Sequence, residues 1–153
     1  MTLNGAALSV DYFIDEQMIA TKNDFEQKIS VCDFVAFPGY PEWHDKATHR
    51  PIFRTGTIAS DPRVDYSYKN VKGQCVAFEA FSFGGSSGSP VFSLQKGLQP
   101  GAGISIPGFR PAMFIGINAG HLVTKLHTHS DLMGHSGISY FFKAPAIVDT
   151  ILG

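Results

Sequence analysis

The chain has 153 residues, enough for one domain with its own hydrophobic core, and its 44% hydrophobic and 16% charged residues exclude an intrinsically disordered protein. A formal net charge of −1 gives no indication of nucleic-acid binding, and no apolar run approaches the roughly 20 residues of a membrane-spanning helix. The two cysteines, Cys32 and Cys75, are too few for a disulfide scaffold and favour a reducing, cytoplasmic location. We expect free buried thiols, although pairing between neighbouring strands and a secreted precursor with an upstream leader stay open.

In chain order, the elements begin with residues 1–20, whose short apolar groups show no sustained period. Asn23 then precedes DFEQKI, with acidic residues early and a lysine late, an order that suits a short capped helix or turn. Six candidate strands follow, each bounded by turn residues, at 33–40, 52–60, 74–81, 90–94, 113–120 and 137–143. APAIVDTIL at the C-terminus predicts a short helix, because Pro145 is tolerated in a first turn.

The strand pattern indicates an all-β fold. Six strands with no long helix between them favour an antiparallel barrel or a sandwich. A parallel α/β sheet would need crossover helices, and the connections leave no room for them.

A glycine- and serine-rich segment, GSSGSP at residues 85–90, lies between the third and fourth candidate strands. The G-x-S-x-G elbow of α/β-hydrolases leads from a strand into a helix, so a following strand excludes it. A loop that exposes Ser87 as a nucleophile fits this context. Gly85 would let its own N–H and that of Ser87 point at one spot, an oxyanion hole in which one donor contributes about 2.7–4 kcal/mol. An ordinary hairpin turn is the alternative.

Five segments together resemble the C-terminal barrel of trypsin-like (chymotrypsin-fold) serine proteases of the bacterial, disulfide-free type. GSSGSP is similar to the family's G-x-S-G-[GS]-P loop. The other four segments follow the family order: FVAFPGYP at 34–41, RTGTIAS at 54–60, FIGINAG at 114–120 and GISYFFKAPAIVDTIL at 137–152. The resemblance implies a six-stranded antiparallel Greek-key barrel with a short C-terminal helix over residues 29–153. Residues 1–28 would be an N-terminal extension or a remnant of the first barrel.

The resemblance also implies the site residues. Ser87 would be the nucleophile, and the N–H groups of Gly85 and Ser87 would form the oxyanion hole. Phe81 falls at the base of the primary specificity pocket, and its apolar side chain favours a small or apolar residue before the cut over Arg or Lys. The remaining substrate-binding residues would lie on the cleft-edge strand and on a pocket wall: Ile117, Asn118, Ala119, Gly137 and Ile138.

The main departure from the family is that the matched segments contain no base to activate Ser87. In the family, the catalytic His and Asp come from a first barrel. About 30 residues precede the second barrel, too few for six more strands. His44 and His49 lie in a loop with no strand before it, and His121 in INAGHLV fits the cleft-edge strand better than a catalytic motif. We therefore expect the His and Asp from a missing or separate N-terminal barrel.

The remaining polar candidates have ordinary explanations that we prefer. An H-x-H pattern with an acidic residue and a further histidine nearby resembles a metal site: His127, His129, Asp131 and His135. A surface loop is favoured, so we expect no metal and no cofactor. Asp11 resembles an Asp-bearing strand of the first barrel, yet an ordinary polar residue is preferred. Glu79 fits a structural or rim position better than a catalytic one.

The sequence therefore predicts a fragment of a serine endopeptidase that carries the nucleophile loop and is inactive alone. Its partners would be a polypeptide substrate and either the missing barrel or a second copy, since the face left bare would expose apolar surface. We expect no nucleic-acid or membrane partner. The alternative is a catalytically inactive barrel that acts as a binding or scaffolding module.

Overall fold

The computed structural model describes residues 2–3, 6–7, 13–98, 108–125 and 132–153. Two short strands, β1 (Thr2–Leu3) and β2 (Ala6–Ala7), pair near the N-terminus. A 3-10 turn at Glu16–Met18 and helix α1 (Lys22–Gln27) follow. The other strands are β3 (Phe34–Gly39), β4 (Ile52–Ile58), β5 (Cys75–Glu79), β6 (Pro90–Ser93), β7 (Met113–Lys125) and β8 (Met133–Lys143). Helix α2 (Ala144–Leu152) follows β8 directly.

Strands β3 to β8 form a closed barrel in the order β3-β4-β5-β8-β7-β6, and every neighbouring pair is antiparallel. Strand β6 returns to pair with β3 after the β3-β4-β5 meander, which is the Greek-key connection. The predicted six-stranded antiparallel Greek-key barrel with a short C-terminal helix is confirmed. A sandwich is excluded, because the pairing of β3 with β6 closes the sheet.

Strands β7 and β8 are longer than their sequence patterns predicted. They continue together beyond the barrel, where Val123 pairs with His135, Thr124 with Gly134 and Lys125 with Met133. The alternation of apolar and polar residues that marks a half-buried strand fades there, because this arm is largely exposed. Its pairing is a tertiary feature that local pattern does not indicate.

The barrel core is built around three phenylalanines from three strands. Phe37, Phe78 and Phe141 are fully buried. The ring of Phe78 meets that of Phe37 edge-on at 5.4 Å between centroids and that of Phe141 at 5.8 Å. Each fully buried Phe side chain contributes about 1.5–3 kcal/mol through removal of apolar surface from water.

Helix α1 begins after Thr21, and the predicted cap at Asn23 is wrong. The Thr21 hydroxyl accepts from the N–H of Asp24 at 3.2 Å, while the Asp24 carboxylate accepts from the N–H of Thr21 at 2.8 Å. This reciprocal capping box satisfies the Thr21 N–H and gives the Asp24 N–H a second acceptor, which Asn23 cannot do from inside the helix. Phe25 of α1 belongs to the same buried cluster as the barrel core. Among the described residues, no helix is long and apolar enough to span a bilayer.

Candidate functional site

The last six residues of the connection between β5 and β6, residues 84–89, form what we name the serine loop. Ser87 is exposed at its tip, whereas Ser86 is buried. Gly85 has a φ of +88° and Gly88 a φ of +83°, values that glycine adopts without steric cost. The loop presses against the end of β3: the N–H of Tyr40 donates to the Gly85 carbonyl at 2.9 Å, and a Cβ on Gly85 would lie 2.1 Å from the Tyr40 carbonyl oxygen.

Hydrogen bonding leaves three N–H groups of the serine loop without an acceptor among the described residues, those of Gly84, Gly85 and Ser87. The N–H of Ser86 donates to the Phe83 carbonyl at 3.0 Å, and that of Ser89 to the Ser86 carbonyl at 3.2 Å. In the described part of the chain, the N–H groups of Gly85 and Ser87 have no acceptor. These are the two donors that the sequence predicts for an oxyanion hole, and the N–H of Gly84 beside them is also unpaired.

Asn118 on β7 binds the serine loop from inside the barrel. Its side-chain amide donates to the Ser86 carbonyl at 2.7 Å and to the Ser82 hydroxyl at 3.2 Å. Its backbone N–H donates to the Ser89 carbonyl, and its carbonyl accepts from the Gly88 N–H, both at 2.8 Å. The residue has no exposed surface. Asn118, which we expected to contact substrate, therefore uses both its backbone and its side chain in hydrogen bonds to the serine loop and its stem.

The other predicted substrate-binding residues fall into separate places. Phe81 and Gly137 line an open groove of about 340 Å³ together with Glu79. Gly137 has a φ of +89°, and its carbonyl accepts from the Ala80 N–H at 3.0 Å. Two further residues, Ala119 on β7 and Ile138 on β8, are half-buried.

Ile117 belongs to a different surface. It lines an apolar groove against the C-terminal helix α2, beside Phe142 and Ile147. The structure thus brings Phe81 and Gly137 together but does not bring Ile117 into their groove.

An exposed aromatic cluster adjoins the serine loop, and we define it as Trp43, Arg54, Phe81, Phe83, His121 and His135. The ring of Phe83 lies 5.2 Å from that of Trp43 and 6.3 Å from that of Phe81. The Arg54 guanidinium carbon sits 4.6 Å from the centre of the Phe83 ring, and the group donates to the Phe81 carbonyl at 2.9 Å. Phe81 is 57% exposed, so it forms part of a surface cluster next to the loop.

His135 joins this cluster from β8, not from the polar loop in which the sequence had placed it. Its ring stacks on His121 of β7 at 4.3 Å between centroids and lies 4.9 Å from the Phe81 ring. The N–H of Ser82 points at Nε2 from 3.0 Å, and that of Gly137 at Nδ1 from 2.8 Å. Burial, then the charges of His121 and Arg54, lower the pKa of His135 below its ordinary value.

No histidine pairs with Ser87 among the described residues, since the Ser87 hydroxyl makes no hydrogen bond there. His44 uses its Nδ1 on the Pro41 carbonyl at 2.7 Å, so that N–H donates locally. His49 is exposed, with a φ of +51°. Four further candidates lie outside the described residues: Asp11, His127, His129 and Asp131.

Two further expectations concern metal ligands and cysteines. Within the described ranges, no group of three or more His, Cys, Asp or Glu side chains is arranged to hold a metal ion. Both cysteines are free; Cys75 is buried, as expected, but Cys32 is exposed, which corrects the expectation of two buried thiols. Burial raises the pKa of the Cys75 thiol above its ordinary value.

Sequence reasoning passed over Trp43, Arg54 and Phe83, which the barrel brings to the serine loop from three separate segments. The alternation of Phe81 and Phe83 directly before the loop is the one local signal that could have indicated them. Comparisons of the chain with protein-family models, with curated proteins and with solved structures give no match.

Proposed function

We propose that this chain is the nucleophile-bearing barrel of a trypsin-like serine endopeptidase, with Ser87 as the nucleophile. The observation that carries the proposal is that the serine loop exposes Ser87 and has backbone N–H groups without a hydrogen-bond acceptor. Ser87 is exposed and lies between Gly85 and Gly88, which both have a positive φ. The N–H groups of Gly85 and Ser87 have no acceptor in the described chain. The ordered sequence segments and the Greek-key barrel support the same family.

In this proposal the Ser87 hydroxyl attacks the carbonyl carbon of the scissile peptide bond while a base removes its proton. The oxyanion of the tetrahedral intermediate accepts hydrogen bonds from the N–H groups of Gly85 and Ser87. The protonated base then gives its proton to the leaving amine, which departs as the acyl-enzyme forms, and water releases the acyl group in a second round. Asn118 holds the loop before substrate arrives, so little reorganisation is needed during the reaction.

The base is a histidine oriented by an acid, both supplied by polypeptide outside the described residues. We base this on the absence of any hydrogen bond to the Ser87 hydroxyl in the described part. The described chain by itself is therefore expected to be inactive. The exposed rings of Trp43, Phe81 and Phe83 are apolar surface that a further barrel or a second copy would cover.

A second candidate is a catalytically inactive barrel that binds or scaffolds another protein. The aromatic cluster favours it, because an exposed Trp and a half-buried Arg beside phenylalanines have the composition of an interface hot spot. In this candidate the serine loop is only a turn between β5 and β6.

A fluorophosphonate probe, which reacts covalently with activated serines, separates the two candidates. It is applied to the chain alone and to the chain co-expressed with whatever the adjacent upstream coding sequence encodes, followed by peptide mass spectrometry. The endopeptidase predicts modification of Ser87 in the second sample, loss of labelling in S87A and retention in S89A, a control in the same loop. Absence of label at Ser87 in both samples favours the binding module and ends the endopeptidase proposal.

A further inference from the structure

His135 connects two parts of the chain that are distant in sequence. Its Nε2 faces the N–H of Ser82, in the stem that leads from β5 into the serine loop, at 3.0 Å. Its Nδ1 faces the N–H of Gly137, where β8 bends with a positive φ, at 2.8 Å. The Ser82 hydroxyl in turn accepts from the Asn118 amide, so the contact reaches the residue that holds the loop.

The acid-base chemistry of imidazole makes this arrangement sensitive to protons. A neutral ring carries one N–H and one acceptor nitrogen, so it accepts one of these two backbone bonds at a time. An imidazolium ring carries an N–H on both nitrogens and accepts neither. In the neutral tautomer whose acceptor is Nε2, the ring accepts from the Ser82 N–H; protonation of His135 would place a ring N–H against that N–H at 3.0 Å, where no hydrogen bond can form.

The surroundings of the ring also oppose a positive charge. Among the described residues, the groups whose charge acts on His135 are His121, stacked on it from β7, and Arg54 from β4. Phe81 and Phe83 cover the ring with apolar surface. Burial, followed by these charges, lowers the pKa of His135. Protonation of His135 therefore requires that the contacts of its ring break, and the fold opposes it as long as they are kept.

We propose that His135 is a proton-sensitive latch on the serine loop, in which the neutral ring ties β8 to Ser82 and protonation releases residues 81–83 and opens the aromatic cluster. The latch does not depend on Ser87 being a nucleophile, because a binding barrel would expose the same surface in acid. If the endopeptidase proposal also holds, the latch makes the loop geometry best formed above the protonation range of His135.

Trp43 is the chain's only tryptophan, and its ring contacts Phe83, so its fluorescence reports directly on the released segment. The emission is recorded from about pH 8 to about pH 4.5, the range in which histidines titrate. We expect one transition in the wild type, with its midpoint below the ordinary 6.5 of histidine. H135Q, whose side chain does not titrate, should remove the transition.

Two other histidine variants serve as controls. H121Q removes a neighbouring charge, so the transition should persist with its midpoint moved to higher pH. H44Q removes the imidazole next to Trp43 in the chain, whose ring contacts Tyr40, so a transition caused by His135 should persist in this variant. A transition in H135Q equal to that of the wild type, or loss of the transition in H44Q, overturns the latch.

A measurement on the unmodified chain guards against a misfolded H135Q, whose folding is checked by circular dichroism. Two-dimensional NMR follows the ring protons of His135 and the amide of Ser82 through the same titration. The latch predicts that both shift with one midpoint, and that exchange protection of the Ser82 amide falls about tenfold per pH unit below it. A Ser82 amide that ignores the titration of His135 overturns the proposal whatever the variants do.

Discussion

The side-chain amide of Asn118 donates a 2.7 Å hydrogen bond to the carbonyl oxygen of Ser86, so a fully buried residue of β7 holds the residue that precedes Ser87. The same amide group reaches the Ser82 hydroxyl at 3.2 Å. One side chain thus connects the stem and the tip of the serine loop to the barrel wall. The geometry of the loop is therefore a property of the core and not of the loop residues alone.

Replacing Asn118 with leucine should lower the free energy of unfolding by about 1–3 kcal/mol, because the similar volume is kept while the Ser86 carbonyl loses one of its two donors and the Ser82 hydroxyl loses its bond to the amide. Urea unfolding measures this change, and amide exchange should show the largest loss of protection at residues 86–89. N23L is the matched control, since Asn23 is an exposed residue of α1 and its replacement should change stability by no more than about 0.5 kcal/mol. Equal effects of N118L and N23L would contradict this role of Asn118.

The two loop glycines with positive φ provide a second comparison. G88A meets no atom within 4 Å, so it should cost only the conformational penalty of about 1–2 kcal/mol. G85A carries a similar penalty and also places its Cβ 2.1 Å from the Tyr40 carbonyl oxygen, so the loop must move away from β3. Thermal unfolding should rank G85A well below G88A. Equal melting temperatures would mean that Gly85 does not require its close approach to Tyr40.

A buried ion group ties the residue before β3 to the connection between β6 and β7. The Asp33 carboxylate accepts from Arg110 and from Lys96, each at 2.8 Å, and both Asp33 and Arg110 are buried. D33N leaves the Arg110 guanidinium without its counter-charge, so the free energy of unfolding should fall by about 3–5 kcal/mol. D61N, which removes the partner of Arg63 in an exposed pair, should leave the urea midpoint nearly unchanged.

The pH dependence of stability follows from the same carboxylate. Burial raises the pKa of Asp33, but the hydrogen bonds from Lys96 and the Ser30 N–H and the charge of Arg110 outweigh it, so the pKa lies below its ordinary 3.8. Because the folded pKa is depressed, Asp33 stabilises the fold above pH 3.8, and this contribution disappears as the pH falls through the folded value. Acid titrations followed by circular dichroism should show a shallower loss in D33N. An identical acid profile in both proteins would contradict it.

The two thiols should differ sharply in reactivity. Cys32 is exposed, whereas Cys75 is buried and burial raises its thiol pKa. Iodoacetamide in native buffer should therefore modify Cys32 alone, and Cys75 should react only after denaturant is added, because the thiolate is the reactive form. Peptide mass spectrometry with C32S as the control distinguishes the sites. Rapid native labelling of Cys75 would show that β5 opens far more readily than its burial indicates.

The six barrel strands followed from the sequence, because alternating apolar residues bounded by Gly and Pro describe half-buried strands whatever their neighbours are. The start of α1 did not, since Asn23 and Thr21 are both good caps and only the reciprocal bond with Asp24 distinguishes them. The sequence did not predict the extension of β7 and β8 either, for a related reason. Their arm beyond the barrel depends on the pairing of one strand with the other.

For the candidate site, the sequence by itself determined the serine loop and its position between two strands, because glycine backbone freedom and a following strand are local properties. It also led to Ser87 and to the two N–H donors of Gly85 and Ser87. Only the tertiary structure decided that Asn118 faces inward to hold the loop, and that His135 and the aromatic cluster stand beside it. These contacts join residues far apart in the chain, and closure of the barrel alone brings their hydrogen-bonding groups within reach.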